Sequence, residues 1–325
     1  MTVLVTGAAG FIGFHVAKAL LDRGERVIGV DNLNDYYDRR LKEARLARLG
    51  RADAFAFHRL DIADREAVFA LIEAETGIDR VVHLAAQAGV RYSLENPSAY
   101  AESNVVGHLV VLEACRRLPR LRHLVYASSS SVYGGNSKLP FAVEDRVDSP
   151  VSLYAATKRA DELISHCYAH LYGMPLTGLR FFTVYGPWGR PDMAYYAFTR
   201  AIFESRPIRV FNRGDMERDF TYIDDVVGGV LAALDRPPDG VAGPPHRLYN
   251  LGNHRAEKLL RFIAVLESAC GREAKKEFVA MQPGDMAVTY ADIEPARRDL
   301  GFAPTTRVEE GLPRFVAWYR EYHDL

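Results

Sequence analysis

Tyr154 and Lys158 stand four residues apart in Tyr-Ala-Ala-Thr-Lys, 25 positions after Ser129 in the cluster Ser128-Ser129-Ser130-Ser131. At that spacing a phenol and an ammonium share one helix face. A cation beside a phenol favours its ionised form, which lets tyrosine move a proton near neutral pH. A serine hydroxyl can hydrogen-bond the oxygen that loses the proton. This trio suits oxidation of a secondary alcohol: Tyr154 takes the hydroxyl proton while the carbon gives up hydride. Lys158 lowers the phenol's pKa and can also hold a ribose, and Ser129 bonds the reacting oxygen. A YxxxK string alone occurs by chance on many helices, so the reading depends on where a hydride acceptor would bind.

The N-terminus supplies that place. Thr6-Gly7-Ala8-Ala9-Gly10-Phe11-Ile12-Gly13 follows a short apolar run and opens an amphipathic stretch. This strand, glycine turn and helix start brings backbone amides and a helix N-terminus to a pyrophosphate. The spacing is GxxGxxG, a looser form of the dinucleotide fingerprint. Asp31, 18 residues beyond Gly13 and after a second apolar run, is placed for the adenosine ribose hydroxyls. Its carboxylate would repel a 2′-phosphate, so NAD is expected over NADP. Asn32 accompanies it. Asp61 and Ile62 after the third run are placed for adenine, although Asp61 could equally be a helix N-cap. Ala85 and Ala86 let the cofactor pass closely, and Asn104 is a further cofactor candidate.

The elements that must position these residues read as an α/β alternation. Apolar runs at 3–6, 27–30, 54–60, 81–85, 124–128 and 176–181 predict strands buried on both faces. Amphipathic stretches at 14–23, 67–75, 99–117 and 153–172 predict the helices between them. The outcome is a Rossmann-type doubly wound parallel sheet. Residues 1–180 are expected to bind the dinucleotide and 181–325 to form mainly a smaller α/β substrate lobe, some segments returning to the first domain. In that lobe 182–222 reads as loop-dominated. Helices are expected at 224–235, 259–270 and 309–322, a strand at 275–281, and a surface loop around 237–245.

Composition sets the outer limits. The 325 residues carry 41 basic and 42 acidic side chains, a net charge of -1, which gives no electrostatic basis for nucleic-acid binding. No apolar run approaches a membrane span, and a strand beginning at residue 2 leaves no room for a signal peptide. Cys115, Cys167 and Cys270, odd in number and widely spaced, suit buried thiols in a reducing cytoplasm. His166 and His170 have zinc-helix spacing but lack the intervening glutamate and a third ligand, so no metal is expected. The basic stretch 39–51 reads as a solvated helix face. The stripe Leu153, Ala156, Ala160, Leu163, Ile164 and Cys167 packs either on the core or, with 105–115, on a second copy.

Further strings carry a resemblance. Asp31-Asn32-Leu33-Asn34-Asp35-Tyr36-Tyr37-Asp38, Gln87-Ala88-Gly89-Val90-Arg91-Tyr92-Ser93, the run from Phe181 to Met193 and Arg218-Asp219-Phe220-Thr221-Tyr222 are specific. With the Tyr–Lys pair they resemble the extended short-chain dehydrogenase/reductase family, in particular its nucleotide-sugar epimerases and dehydratases. The resemblance covers essentially the whole chain. It implies a tightly held NAD, reduced and reoxidised within one turnover, and C4 epimerisation of UDP-glucuronate to UDP-galacturonate through a 4-keto sugar. It also implies a homodimer.

Oxidising C4 of a uronic acid creates a β-keto acid, which loses CO2 unless its carboxylate is held out of alignment. Related dehydratases and decarboxylases carry an acid after the catalytic hydroxyl. Here Ser130 and Ser131 can donate to the carboxylate without repelling it. By resemblance Gln87, Thr183 and Arg190 complete the sugar pocket. Val210, Phe211 and Asn212 would face uracil, and Arg213 and Arg218 the diphosphate. One departure stands out: relatives have an arginine before Pro-Gly-Asp, and this chain has Gln282-Pro283-Gly284-Asp285. A UDP-glucuronate decarboxylase or another nucleotide-sugar enzyme of this family is the alternative activity. A non-catalytic NAD-binding regulator is disfavoured, because both Tyr154 and Lys158 are retained.

Overall fold

Short β-branched runs build the centre of the molecule. The computed structural model describes residues 1–75, 77–241, 243–281 and 286–325. Strands β1 (Thr2–Thr6), β2 (Arg26–Asp31), β3 (Phe55–Arg59), β4 (Arg80–His83), β5 (His123–Ser129) and β6 (Leu176–Phe181) pair in parallel. A seventh strand, His246–Leu251, adds to β6, so the order is His246–Leu251, β6, β5, β4, β1, β2, β3. The chain reverses direction of travel between β1 and β4. In such sheets the crevice at the carboxyl ends of the strands takes the ligand.

Alternation along each strand splits the core in two. Val3 and Val5 pack on one face with helix Phe11–Asp22 and the C-terminal elements; Leu4 packs on the other with Arg65–Ala74 and Gly107–Cys115. Both faces are dry, which is why these strands read as continuous apolar runs. Helix Leu153–Tyr172 begins at an N-cap, the Ser152 hydroxyl accepting from Ala155 N, and ends on left-handed Gly173.

The expected helix over 99–117 is three segments: Pro97–Tyr100, one π turn at Ala101–Val106, and Gly107–Cys115. Beyond β6 the chain is more regular than its Gly, Pro and aromatic content suggests. Helix Ala194–Phe203 and strands Thr183–Tyr185, Pro207–Val210 and Phe220–Tyr222 all fall inside the stretch read as loop. Strand Pro207–Val210 pairs with Lys275–Phe278, and Thr183–Tyr185 with Phe220–Tyr222. No helix among the described residues is long and apolar enough to cross a membrane.

One surface expectation needs correction. Cys115 and Cys270 are buried, but Cys167 is exposed. On its helix the buried side is Ala155, Thr157, Lys158, Asp161, Glu162, Ser165 and Ala169, whereas Leu153 and Leu163 face outward. Of the apolar stripe, Leu153, Leu163 and Cys167 are exposed and Ala156 and Ala160 half-buried, while Ile164 packs against the core.

Candidate active site and dinucleotide cleft

A cavity of about 830 Å³ opens along the carboxyl ends of the strands. Its floor is the glycine turn. Gly7 has φ +72°, and a Cβ there would lie 2.8 Å from Ala85 N; one on Gly13 would lie 2.0 Å from Gly7 O. Only glycine permits the turn to close against β4 and the helix to start so near it. Gly10, Phe11 and Ile12 line the same wall, followed by Asp31, Asn32, Asp61, Ile62, Ala85 and Ala86.

The carboxylates at the adenosine end are oriented by the backbone. Asp31 accepts from Ala9 N at 3.2 Å and Leu33 N at 2.9 Å. Asp61 accepts from Ala63 N at 2.9 Å and from Asn32 Nδ2 at 2.8 Å. The cap of the following helix is Asp64, whose side chain accepts from Ala67 N, so Asp61 is not used as the N-cap. Bare glycine edges, two fixed carboxylates and small Ala85-Ala86 fit a dinucleotide, and a carboxylate at Asp31 fits ribose hydroxyls.

Further along the cavity lie Ser129, Ser130, Ser131, Tyr154 and Lys158. Strand geometry separates the serines. Ser128 points away from the cleft, donating to Glu162 Oε1 at 2.6 Å, while Ser129 Oγ donates to Ser131 Oγ at 3.1 Å and accepts from Ser131 N at 3.2 Å. Behind Ser128, Arg180 grips Glu162 through Nε at 2.8 Å and Nη2 at 2.9 Å, both side chains almost fully buried. Burial works against the Glu162 charge, but the Arg180 bonds outweigh it and hold its carboxyl below the usual range. Arg180 reaches Tyr133 Oη, which donates to Asn250 Oδ1 at 2.6 Å. This network ties β5, β6, the edge strand and the Tyr–Lys helix together beneath the site.

Lys158 is buried, its ammonium donating to Ala127 O and to Asp161 Oδ2, both at 3.0 Å. The Tyr154 ring meets Tyr100 edge-on, with ring centres 6.0 Å apart. Gln87, Thr183, Arg190 and Phe211 line the same cavity. Arg190 pairs with Asp192, Nη2 to Oδ2 at 2.5 Å, and Tyr36 Oη donates to the same oxygen at 3.2 Å. Burial opposes the Arg190 charge, yet the Asp192 carboxylate keeps its pKa above the ordinary value.

Five expected site residues stand elsewhere. Asn104, in the π turn, is buried behind the cavity. Its amide accepts from Gln87 N at 2.8 Å and donates to Gln87 O and Thr157 Oγ1, positioning Gln87 rather than facing a ligand. Val210 is fully buried in the lobe's own core. Asn212 donates to Asp215 O, and Arg213 is exposed on the same turn. Arg218 donates to Glu217 O and Ala287 O. The string Gln282-Pro283-Gly284-Asp285 lies outside the described residues.

The basic helix Arg39–Leu49 is not simply a solvated face. Lys42 lines the cleft, donating to Asn34 O and Oδ1, with Asp31 Oδ1 3.9 Å away. Arg45 is fully buried and donates to Ala9 O, Tyr37 Oη, Trp188 O and Gly189 O. Asn34, Tyr36, Asp192 and Phe198 also line the cavity without having been singled out. For Lys42 and Arg45 the signal was their position: both lie on the leucine-bearing side of the helix with Leu41 and Leu49. Among the described residues no three His, Cys, Asp or Glu side chains gather as a metal site; His166 and His170 are both exposed.

A parallel sheet with a glycine cradle at one end of its crevice and a Tyr–Lys–Ser set at the other defines a dinucleotide-binding enzyme built for hydride transfer. Residues 3–252 match the model of the NAD dependent epimerase/dehydratase family, and the chain belongs to that family. It is 50% identical over 334 residues to UDP-glucuronate 4-epimerase 4 of Arabidopsis thaliana, covering 99% of this chain and 76% of the relative. Protein CapI of Staphylococcus aureus is 47% identical over 99% of both chains. The solved UDP-glucuronic acid 4-epimerase of Bacillus cereus, in complex with UDP-glucuronic acid and NAD, superposes with a TM-score of 0.90 at 35% identity. That match covers 99% of this chain and 100% of the other.

Proposed function

We propose that the protein is an isomerase that converts UDP-glucuronate to UDP-galacturonate by NAD-dependent epimerisation at C4. The observation that carries this reading is one cavity in which the glycine cradle, the Tyr154–Lys158–Ser129 set and the hydroxyls of Ser130, Ser131 and Thr183 face the same space. NAD, when bound along the cradle, supplies a hydride acceptor that can return the hydride within the turnover. Tyr154 takes the C4 hydroxyl proton, Ser129 bonds that oxygen, and Lys158 favours the phenolate. The result is a 4-keto sugar. Once the sugar has turned, Tyr154 gives its proton back to the C4 oxygen while hydride would return to the opposite face of C4, which sets the inversion; the proton count closes without exchange with solvent.

Ser130, Ser131 and Thr183 hold the C5 carboxylate by neutral donors, which disfavours the alignment that decarboxylation requires. Arg190 is close enough to this region to take a carboxylate or phosphate oxygen by a charge-assisted bond. Residues 1–180 carry the dinucleotide and 181–325 mainly the UDP-sugar, with Phe211 marking the nucleotide end and Arg213 and Arg218 following it in the chain. A homodimer is part of the same proposal, supported by outward-facing Val106, Leu109, Leu153 and Leu163 on two adjacent helices. So is a cytoplasmic location, which suits three unpaired thiols.

The test is a product assay by NMR with UDP-glucuronate and no added NAD. Formation of UDP-galacturonate is expected, together with retention of the cofactor through purification. A UDP-pentose with CO2, or no conversion even when NAD is supplied, would contradict the reading.

A further inference from the structure

Tyr154, Lys158 and Asp161 occupy positions i, i+4 and i+7 of one helix, so the three side chains share a face. Asp161 is fully buried. Its Oδ2 takes the Lys158 ammonium at 3.0 Å, and its Oδ1, equally buried, has no partner. An aspartate in that position is costly: burial pushes its carboxyl up to about 6, against the opposing pull of Lys158. An uncharged side chain of the same size would pack there without the desolvation penalty.

We infer that Asp161 is a positioning residue for the acid–base chemistry: its charge fixes the Lys158 ammonium and limits how strongly that ammonium ionises Tyr154. The inference rests on the assignment of Tyr154 as the base. No proton passes through Asp161; the proton shuttles only between substrate oxygen and Tyr154 Oη. The purpose follows from the reaction. A phenol that must both take and return one proton works best when its pKa is not too low. A cation beside a phenol favours its ionised form, and a carboxylate behind the ammonium offsets part of that effect.

The other charges around these groups do not duplicate the role. Glu162, next in the chain, is turned to Arg180, Arg159 and Ser128. From β4, His83 lies near Lys158 and is kept neutral by burial; from helix Gly107–Cys115, His108 is likewise neutral and is held by Ser165. Tyr154 meets Tyr100 from its own side of the cavity and feels the Arg190 guanidinium from the substrate lobe. Asp161 is thus the anion that offsets Lys158.

Titrating [13Cζ]tyrosine-labelled, NAD-loaded protein by NMR tests this directly, with the Tyr154 signal identified by its absence in Tyr154→Phe. Asp161→Asn should lower the Tyr154 midpoint by about one pH unit. That is the scale of a unit charge two helical turns away, roughly 10 Å, at an effective dielectric of about 20. Asp161→Ser removes the same charge by a smaller side chain, should shift the midpoint in the same direction, and serves if the amide variant does not fold. A midpoint that stays put or rises in the folded variant overturns the inference. Substrate plays no part in this titration, so failure to epimerise UDP-glucuronate would strike the functional reading and leave this one standing.

Discussion

Replacing Arg45 by methionine probes how the cofactor turn and the substrate loop are held together. Arg45 reaches Ala9 O at 2.8 Å, Tyr37 Oη at 2.7 Å, Trp188 O at 2.6 Å and Gly189 O at 3.2 Å. No acidic side chain forms an ion pair with it among the described residues, and it is fully buried. Methionine keeps the apolar stem but leaves three main-chain carbonyls without their donor, at about 1–3 kcal/mol each. Removing an uncompensated buried charge returns part of that. The net loss should be about 3 kcal/mol, read as the shift in urea unfolding followed by circular dichroism. Ala9 sits in the glycine turn, and Trp188-Gly189 immediately precede Arg190. NAD should therefore dissociate faster and KM for UDP-glucuronate should rise more than kcat falls. A stability loss under about 1 kcal/mol, with unchanged NAD retention and KM, would refute the reasoning and return Arg45 to an ordinary solvated helix face.

Other outcomes follow from the same contacts. Tyr154→Phe should cost about 10³-fold in turnover while NAD stays bound, measured by product NMR and by absorbance of the purified protein. Glu162→Gln strands the buried Arg180 guanidinium and should destabilise the fold by about 3–5 kcal/mol, well beyond the roughly 1 kcal/mol expected of Ser128→Ala. Acid should unfold the protein early. Burial lowers His15, His123 and His246 to about 4 and His83 to about 3, so the unfolded chain binds more protons below the usual histidine pKa of about 6.5, and stability falls as pH drops. Asp161 and Asp219, raised to about 6, act the other way below that pH because the native state then holds their protons. Four histidines at about 2 kcal/mol each outweigh two carboxylates at about 1 kcal/mol each near pH 5. Urea melts at pH 7 and pH 5 should show lower stability at pH 5, and equal or greater stability there would contradict the balance.

The sheet was legible because parallel strands buried on both faces need unbroken apolar runs, and Val3-Leu4-Val5 and Val81-Val82 have them. Leu176–Phe181 and Leu153–Tyr172 begin and end where expected, the latter because Ser152 and Gly173 cap it. The Tyr–Lys pair was legible for a related reason: helix periodicity alone fixes a shared face. What stayed hidden depends on tertiary contacts. Arg45 looks like a surface charge until the loop carrying Trp188 folds over it, and Lys42 until Asn34 takes its ammonium. Helix Ala194–Phe203 was masked by its aromatics and by the Gly-Pro-rich segment before it, although Tyr195, Thr199 and Ile202 follow a helical period. Val210 looked available to a base but fills the lobe's interior, and the amide of Asn104 is consumed by Gln87 and Thr157. Short-range pattern shows which face is buried, not which other segment buries it.

The central claim is that one hydride leaves C4 and returns to C4 of the same sugar from the opposite side. UDP-[4-2H]glucuronate turned over in ordinary water, with the product examined by NMR and mass spectrometry, tests it most directly. The account predicts UDP-galacturonate that keeps deuterium at C4. Deuterium lost to solvent, or a product that has shed its carboxylate, would contradict it.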